Sequence, residues 1–160
     1  MIFVTLGNQN FQFNRLLNSI EIGIKQGYIN EKVIVQTGFT SFKSNLFETI
    51  NFLGKEDFEN HIKESSYVIS HAGTGSIISC INAKKKVIVA ARLSEYREHI
   101  DDHQVEILSA FKKKNYIVGL DLQLANFKHV IESIDTVIME EFISNNNKFN
   151  SKLIEIINSF

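Results

Sequence analysis

Short runs of β-branched and aromatic residues alternate along the chain with stretches whose apolar positions recur three and four residues apart. Ile2-Phe3-Val4-Thr5-Leu6 reads as a first strand, stopped by Gly7, and Phe13, Leu16, Leu17 and Ile20 follow at helical spacing. Lys32–Gln36 reads as a second strand ended by Thr37-Gly38, and Thr49–Leu53 as a weaker third. Phe58 and Ile62 mark a short helix before a fourth strand, Tyr67–Ser70. Ile77, Ile78 and Ile81 start another helix, Lys86–Ala90 forms a fifth strand, Val105, Leu108 and Phe111 mark a further helix, and Tyr116–Leu120 is a sixth strand. Past the polar patch Ser144–Lys148, Phe149, Leu153, Ile156 and Phe160 form an apolar stripe. It predicts a C-terminal helix within 140–160, either packed back on the sheet or docked on another chain.

Continuous apolar strands alternating with helices predict an α/β fold, a Rossmann-like doubly wound parallel sheet covered on both faces. In such sheets ligands bind beyond the carboxyl ends of the strands. The loops beginning at Gly7, Gly38, His71, Ala91 and Leu120 are therefore the places to look for chemistry.

A chain of 160 residues fits one domain over 1–160 with a sizeable core. The formal net charge of −1 argues against a dedicated nucleic-acid binder, which is usually clearly basic. One cysteine, Cys80, allows no intrachain disulfide and fits a reducing cytoplasmic setting. No segment reaches the roughly 20 apolar residues that span a bilayer. Met1-Ile2-Phe3-Val4 is too short and lacks the basic flank of a signal peptide. A role at the membrane would thus be peripheral. Proline is absent, which weakens boundary signals that depend on it.

The densest local signal is the turn Ser70-His71-Ala72-Gly73-Thr74-Gly75-Ser76, between the fourth strand and an apolar helix. Gly73 and Gly75 let the backbone turn tightly and approach a ligand. The helix start supplies unpaired N–H groups and a partial positive charge, a natural diphosphate seat. Thr74 and Ser76 can cap the helix or donate to phosphate oxygens, and His71 can donate to the same anion. The plain alternative is a tight strand-to-helix turn with Thr74 as N-cap. The pattern is not the dinucleotide fingerprint, since Ile78 stands where its third glycine belongs, and no G-K-[ST] marks a P-loop.

Ile69–Ile77 resembles the donor-site segment of the glycosyltransferase family 28 C-terminal domain. Within that family it is most similar to the small donor-binding subunit of the two-chain N-acetylglucosaminyltransferase of dolichol-linked oligosaccharide synthesis, and to bacterial subunits of capsule and exopolysaccharide assembly. Glu98-His99-Ile100-Asp101-Asp102-His103-Gln104 resembles the E-H-x-x-[ND]-H-Q segment of the bacterial members, and Val4-Thr5-Leu6-Gly7 the V-T-x-G opening. The resemblance covers about residues 1–120. It implies the donor half of an inverting GT-B transferase, moving a sugar from a UDP-sugar to a lipid-linked saccharide acceptor. It implies a membrane-anchored acceptor-binding partner subunit, which would recruit this cytoplasmic chain to the inner face of the membrane. No cofactor beyond the UDP-sugar is implied. No metal is implied either, and the sequence presents no convincing metal-ligand cluster.

The resemblance assigns donor contacts to His71, Gly73, Thr74, Gly75, Ser76, His103, Gln104, Gly7 and Asn8, and offers His99 and Glu98 for catalysis. Imidazole titrates near neutrality and suits a base, while Glu98 suits sugar hydroxyls. Both residues also read as a solvated loop. His103 and Gln104 also open a helix, where Asp101 as N-cap and Gln104 at N3 would form a capping box, and both readings can coexist. Gln36, Thr37 and Gly38 offer an edge for the uracil. Ser79 stands where family members carry an acidic residue, which bears on ribose recognition, and Lys86 replaces a proline before the fifth strand. The runs Lys84–Lys86 and Lys112–Lys114 read as complements to helix C-termini. A non-catalytic enhancer of a transferase partner is the alternative function, and a Rossmann-like binder of NAD or FMN a third.

Overall fold

The computed structural model describes residues 1–142, so the helix expected within 140–160 lies outside the described residues from 143 onward. Six parallel strands form one sheet in the order β3-β2-β1-β4-β5-β6. They are β1 Ile2–Thr5, β2 Val33–Gln36, β3 Glu48–Ile50, β4 Val68–His71, β5 Val87–Ala90 and β6 Val118–Gly119. The central four are buried residue by residue, as continuous apolar runs require when helices cover both faces. The edge strands are shorter than the sequence suggests. β3 pairs only with β2 and β6 only with β5, so each is held from one side alone.

Alternation along the strands sorts side chains to two faces. Ile2, Val4 and Leu6 point to one face, under α1 (Asn14–Lys25) and α5 (Phe127–Ser133). Phe3, Val68, Val87 and Val89 point to the other, under α2 (Lys55–Glu64), α3 (Thr74–Asn82) and α4 (His103–Lys113). Each fully buried Ile or Phe contributes roughly 1.5–3 kcal/mol. The predicted helix positions are the buried ones: Leu16, Leu17 and Ile20 on α1, Ile62 on α2, Ile77 on α3 and Leu108 on α4. Cys80 is buried in the second layer, and burial pushes its thiol up to about 12.

α5 is absent from the sequence reading, although Phe127, Val130, Ile131 and Ile134 follow an i, i+3, i+4, i+7 pattern and are all buried. The lysine runs do meet helix ends. Lys86 Nζ donates to Ile134 O and Asp135 O at 2.9 and 2.7 Å, Lys85 Nζ reaches Ser65 O at 2.7 Å, and Lys112 and Lys113 lie in the last turn of α4. No helix among the described residues is long and apolar enough to cross a membrane.

Candidate functional site

The strand order reverses direction between β1 and β4, and in this fold the crevice outside such a switch point is where ligands sit. β1 ends at Thr5 and β4 at His71, so the candidate residues Gly7 and His71 meet there despite their distance in sequence. His71 Nδ1 lies 3.4 Å from Thr5 O. A carbonyl only accepts, so the neutral ring carries its proton on Nδ1 and presents Nε2 as a lone pair. Two glycines make room for it. Gly7 holds φ +76°, a conformation glycine adopts freely, and a Cβ on either Gly7 or Gly73 would fall closer than 3.0 Å to the ring.

Burial, then the nearby Arg92 charge, pushes His71 down to about 4 from the ordinary imidazole value of 6.5. In this tautomer Nε2 is an acceptor, and the expected donation from His71 to phosphate would need the other tautomer or a protonated ring. The unfolded chain binds this proton near 6.5 and the folded chain only near 4, so the His71 contribution to stability is present above 6.5 and lost as pH falls toward 4. Urea unfolding at about pH 7.5 and about pH 4.5 should differ by roughly 2 kcal/mol more in the native chain than in His71→Asn. An equal pH response in the two would refute the buried neutral ring.

A cleft of about 500 Å3 opens at this point and brings together Gly7, Asn8, His71, Gly73, Gly75 and Ser76. Ser79 also lines it, its Oγ donating to Gly75 O at 3.0 Å, with Lys55 at the start of α2 and Phe58 one turn on. Lys55 was not singled out by sequence. Its signal, a Gly-Lys pair just after a strand, resembles many ordinary loops. Thr5 Oγ1 donates to Gln36 Oε1 at 2.9 Å, and Gln36 Nε2 donates to Asn8 Oδ1 at 3.0 Å, which fixes Asn8 at the rim. The N-cap of α3 is Gly73, with no side-chain cap bond, and not Thr74, which is the first helical residue and exposed. The first N–H groups of α3 therefore face the cleft without a competing side-chain acceptor. No acidic side chain is among the described residues lining it.

The loop from β5 to α4 differs most from expectation. Glu98 does not face the cleft: it is 4% exposed, with Oε1 accepting Arg15 Nε at 3.0 Å and Oε2 accepting Arg15 Nη2 at 2.8 Å and Leu93 N at 3.1 Å. Its carboxylate turns inward because a buried loop N–H and a guanidinium both need an acceptor. His99 is buried too, with its ring 5.4 Å from that of Phe11 and its Nε2 without a partner. Neither residue lines the cleft, so their expected catalytic position is corrected to the wall behind it. Gln104 is buried, and its Oε1 accepts Arg92 N at 3.1 Å. The capping box with Asp101 as N-cap is likewise corrected: Asp102 is the N-cap and Gln104 turns inward.

His103 is exposed, and its ring pairs with Asp101 in a short hydrogen bond. That bond holds the Asp101 carboxyl below the usual carboxylate range. Asp101 Oδ1 also lies 3.0 Å from His99 Nδ1. The fold thus gathers His99, Asp101 and His103 ligand atoms within 4.8 Å, a grouping the sequence reading did not recognise. The Asp101 carboxylate is already engaged by the His103 ring and N–H, so the group reads as a loop clasp. A second cavity, about 570 Å3, lies at the amino ends of β5 and β6 beside Lys84, Lys86 and Tyr116, away from the switch point.

Residues 1–157 match the glycosyltransferase family 28 C-terminal domain. The chain is similar to the UDP-N-acetylglucosamine transferase subunit ALG13 of Candida albicans, 29% identical over 126 residues, which cover 76% of this chain and 37% of that protein. It is also similar to the subunit of the same name from Debaryomyces hansenii, 33% identical over 95 residues, covering 58% and 44%. The chain thus spans less than half the length of these relatives. Among solved structures, the NMR structure of ALG13 superposes with a TM-score of 0.57 at 20% identity, over 96% of this chain and 94% of that one. The glycotransferase of kitacinnamycin superposes with a TM-score of 0.53 at 13% identity, over 85% and 35%. At such identities the superpositions speak to the fold alone.

Proposed function

The chain belongs to the glycosyltransferase family 28 C-terminal domain family, and from that premise we propose that it binds the UDP-sugar donor for a divided transferase. The observation that carries this reading is the cleft at the β1/β4 switch point. There the open N-terminus of α3 meets Gly7, Asn8, His71 and Lys55. Free N–H groups and the Lys55 ammonium suit the diphosphate, while the His71 lone pair suits a hydroxyl of the sugar or acceptor. Electrostatic stabilisation of the leaving UDP at a helix terminus needs no bound cofactor. The names of the relatives specify UDP-N-acetylglucosamine and a subunit role. They support N-acetylglucosamine as the sugar and lend nothing to a role in capsule or exopolysaccharide assembly.

No carboxylate is among the described residues lining the cleft and Glu98 is engaged elsewhere, which favours a catalytic base from an acceptor-binding, membrane-anchored partner with a lipid-linked saccharide as acceptor. The test is a reconstituted transfer assay with that partner, together with calorimetry of the isolated chain. Transfer should require both chains, UDP should bind this one, and His71→Ala should lower transfer roughly a hundredfold. Absence of UDP binding to the folded chain would favour the enhancer reading instead, in which this chain only stabilises the partner. Binding of NAD or FMN in place of UDP would overturn both.

A further inference from the structure

Arg92 is the largest wholly buried side chain among the described residues, 1% exposed. Sequence reading gives no reason to single it out. Its Nη2 donates to Leu6 O at 2.6 Å. Its Nη1 donates to Phe11 O and Gln12 O, each at 3.1 Å, and to Glu98 O at 3.3 Å. Its backbone N–H holds Gln104 Oε1, and its guanidinium lies 4.9 Å from the Phe13 ring centroid. One side chain therefore joins the loop after β1 to the loop after β5, and Leu6 adjoins Gly7 in the cleft.

The acceptors around Arg92 are carbonyls. They take up its Nη groups without cancelling its charge, while its buried Nε has no partner. The nearby carboxylate, Glu98, is paired with Arg15, so two guanidinium groups share one carboxylate and a positive charge is left in excess. Burial lowers Arg92 to about 10, with Glu98 opposing the shift, so it remains a cation at neutral pH. Its Nη2 sits on the carbonyl of Leu6, the residue before Gly7 of the cleft wall, and the same charge helps lower the basicity of His71. A buried charge is screened far less by salt than a surface lysine.

We propose that Arg92 is a positioning residue with an electrostatic function: it locks the β1 and β5 loops into one wall and gives the cleft a fixed positive potential that favours a diphosphate ligand it does not touch. The proposal rests on the donor-site reading above. Preorganised charge of this kind selects for the anionic part of a ligand and leaves the nucleoside part alone.

Calorimetry of the full chain with UDP and with uridine separates the electrostatic effect from a merely structural one. Arg92→Gln keeps donors for the loop carbonyls but removes the charge. It should weaken UDP binding about tenfold and uridine binding less than about twofold, while Arg92→Lys should restore the preference for UDP. Equal weakening of both ligands, or no change in either, overturns the proposal. If the native chain binds neither ligand, the donor reading fails. NMR titration of His71 then still tests Arg92, because its pKa should rise in Arg92→Gln and an unmoved value refutes the field. Should Arg92→Gln not fold, exposed Lys55→Gln is the control: it should retain part of the preference for UDP, and complete loss there would assign the potential to Lys55 and overturn the proposal.

Discussion

Gly73→Ala is expected to lower sugar transfer and UDP binding by at least about a hundredfold while leaving the chain folded. Gly73 has φ −89° and ψ 123°, a conformation alanine adopts without strain. The damage is therefore local. The added methyl would occupy space held by the His71 ring, which is boxed by Gly7 and anchored to Thr5 O and cannot retreat without breaking that bond. Stability should fall by roughly 1–3 kcal/mol, the usual range for overpacking. The double variant Gly73→Ala, His71→Ala removes the clash and should regain stability without regaining transfer, a non-additive cycle. If Gly73→Ala alone binds UDP with native affinity, the ring is not part of the donor site.

Glu98→Ala is expected to lower the melting temperature on the order of 10 °C, from a loss of roughly 3 kcal/mol. Removing the carboxylate strands the Arg15 guanidinium, only 18% exposed, and leaves the Leu93 N–H without its acceptor. It also removes the Glu98 charge that offsets that of Arg92. Glu98→Gln keeps an acceptor for Leu93 and should lie between the two. Differential scanning calorimetry checks both. A native melting temperature combined with a large loss of transfer would return Glu98 to the chemistry instead of the wall.

The six strands were legible because the central ones are short runs dominated by Val and Ile, and such runs have few other readings in a doubly wound sheet. The ends of β3 and β6 were not, because edge pairing rather than composition decides where they stop. The α5 helix was within reach of the same periodicity, and Phe127 to Ile134 carried the pattern. The turn at His71 was legible through its glycines and its place between a strand and a helix. What local pattern cannot carry is convergence. Arg92 in Ala91-Arg92-Leu93 looks like a loop charge until Leu6, Phe11 and Gln12, some 80 residues away, turn their carbonyls toward it. Glu98 likewise meets a partner 83 positions distant. The tautomer of His71 was hidden for the same reason, since Thr5 lies 66 residues away.

The pairing of β1 with β4 also has a kinetic meaning. The candidate cleft exists only where these two strands lie side by side, and their contact closes a long loop of intervening chain. Non-local parallel pairing of this kind is slow to form. A chain still lacking it has β2 and α1 within reach but not the cleft. On the donor reading proposed above, a ligand that binds there would draw the chain toward the paired form by mass action.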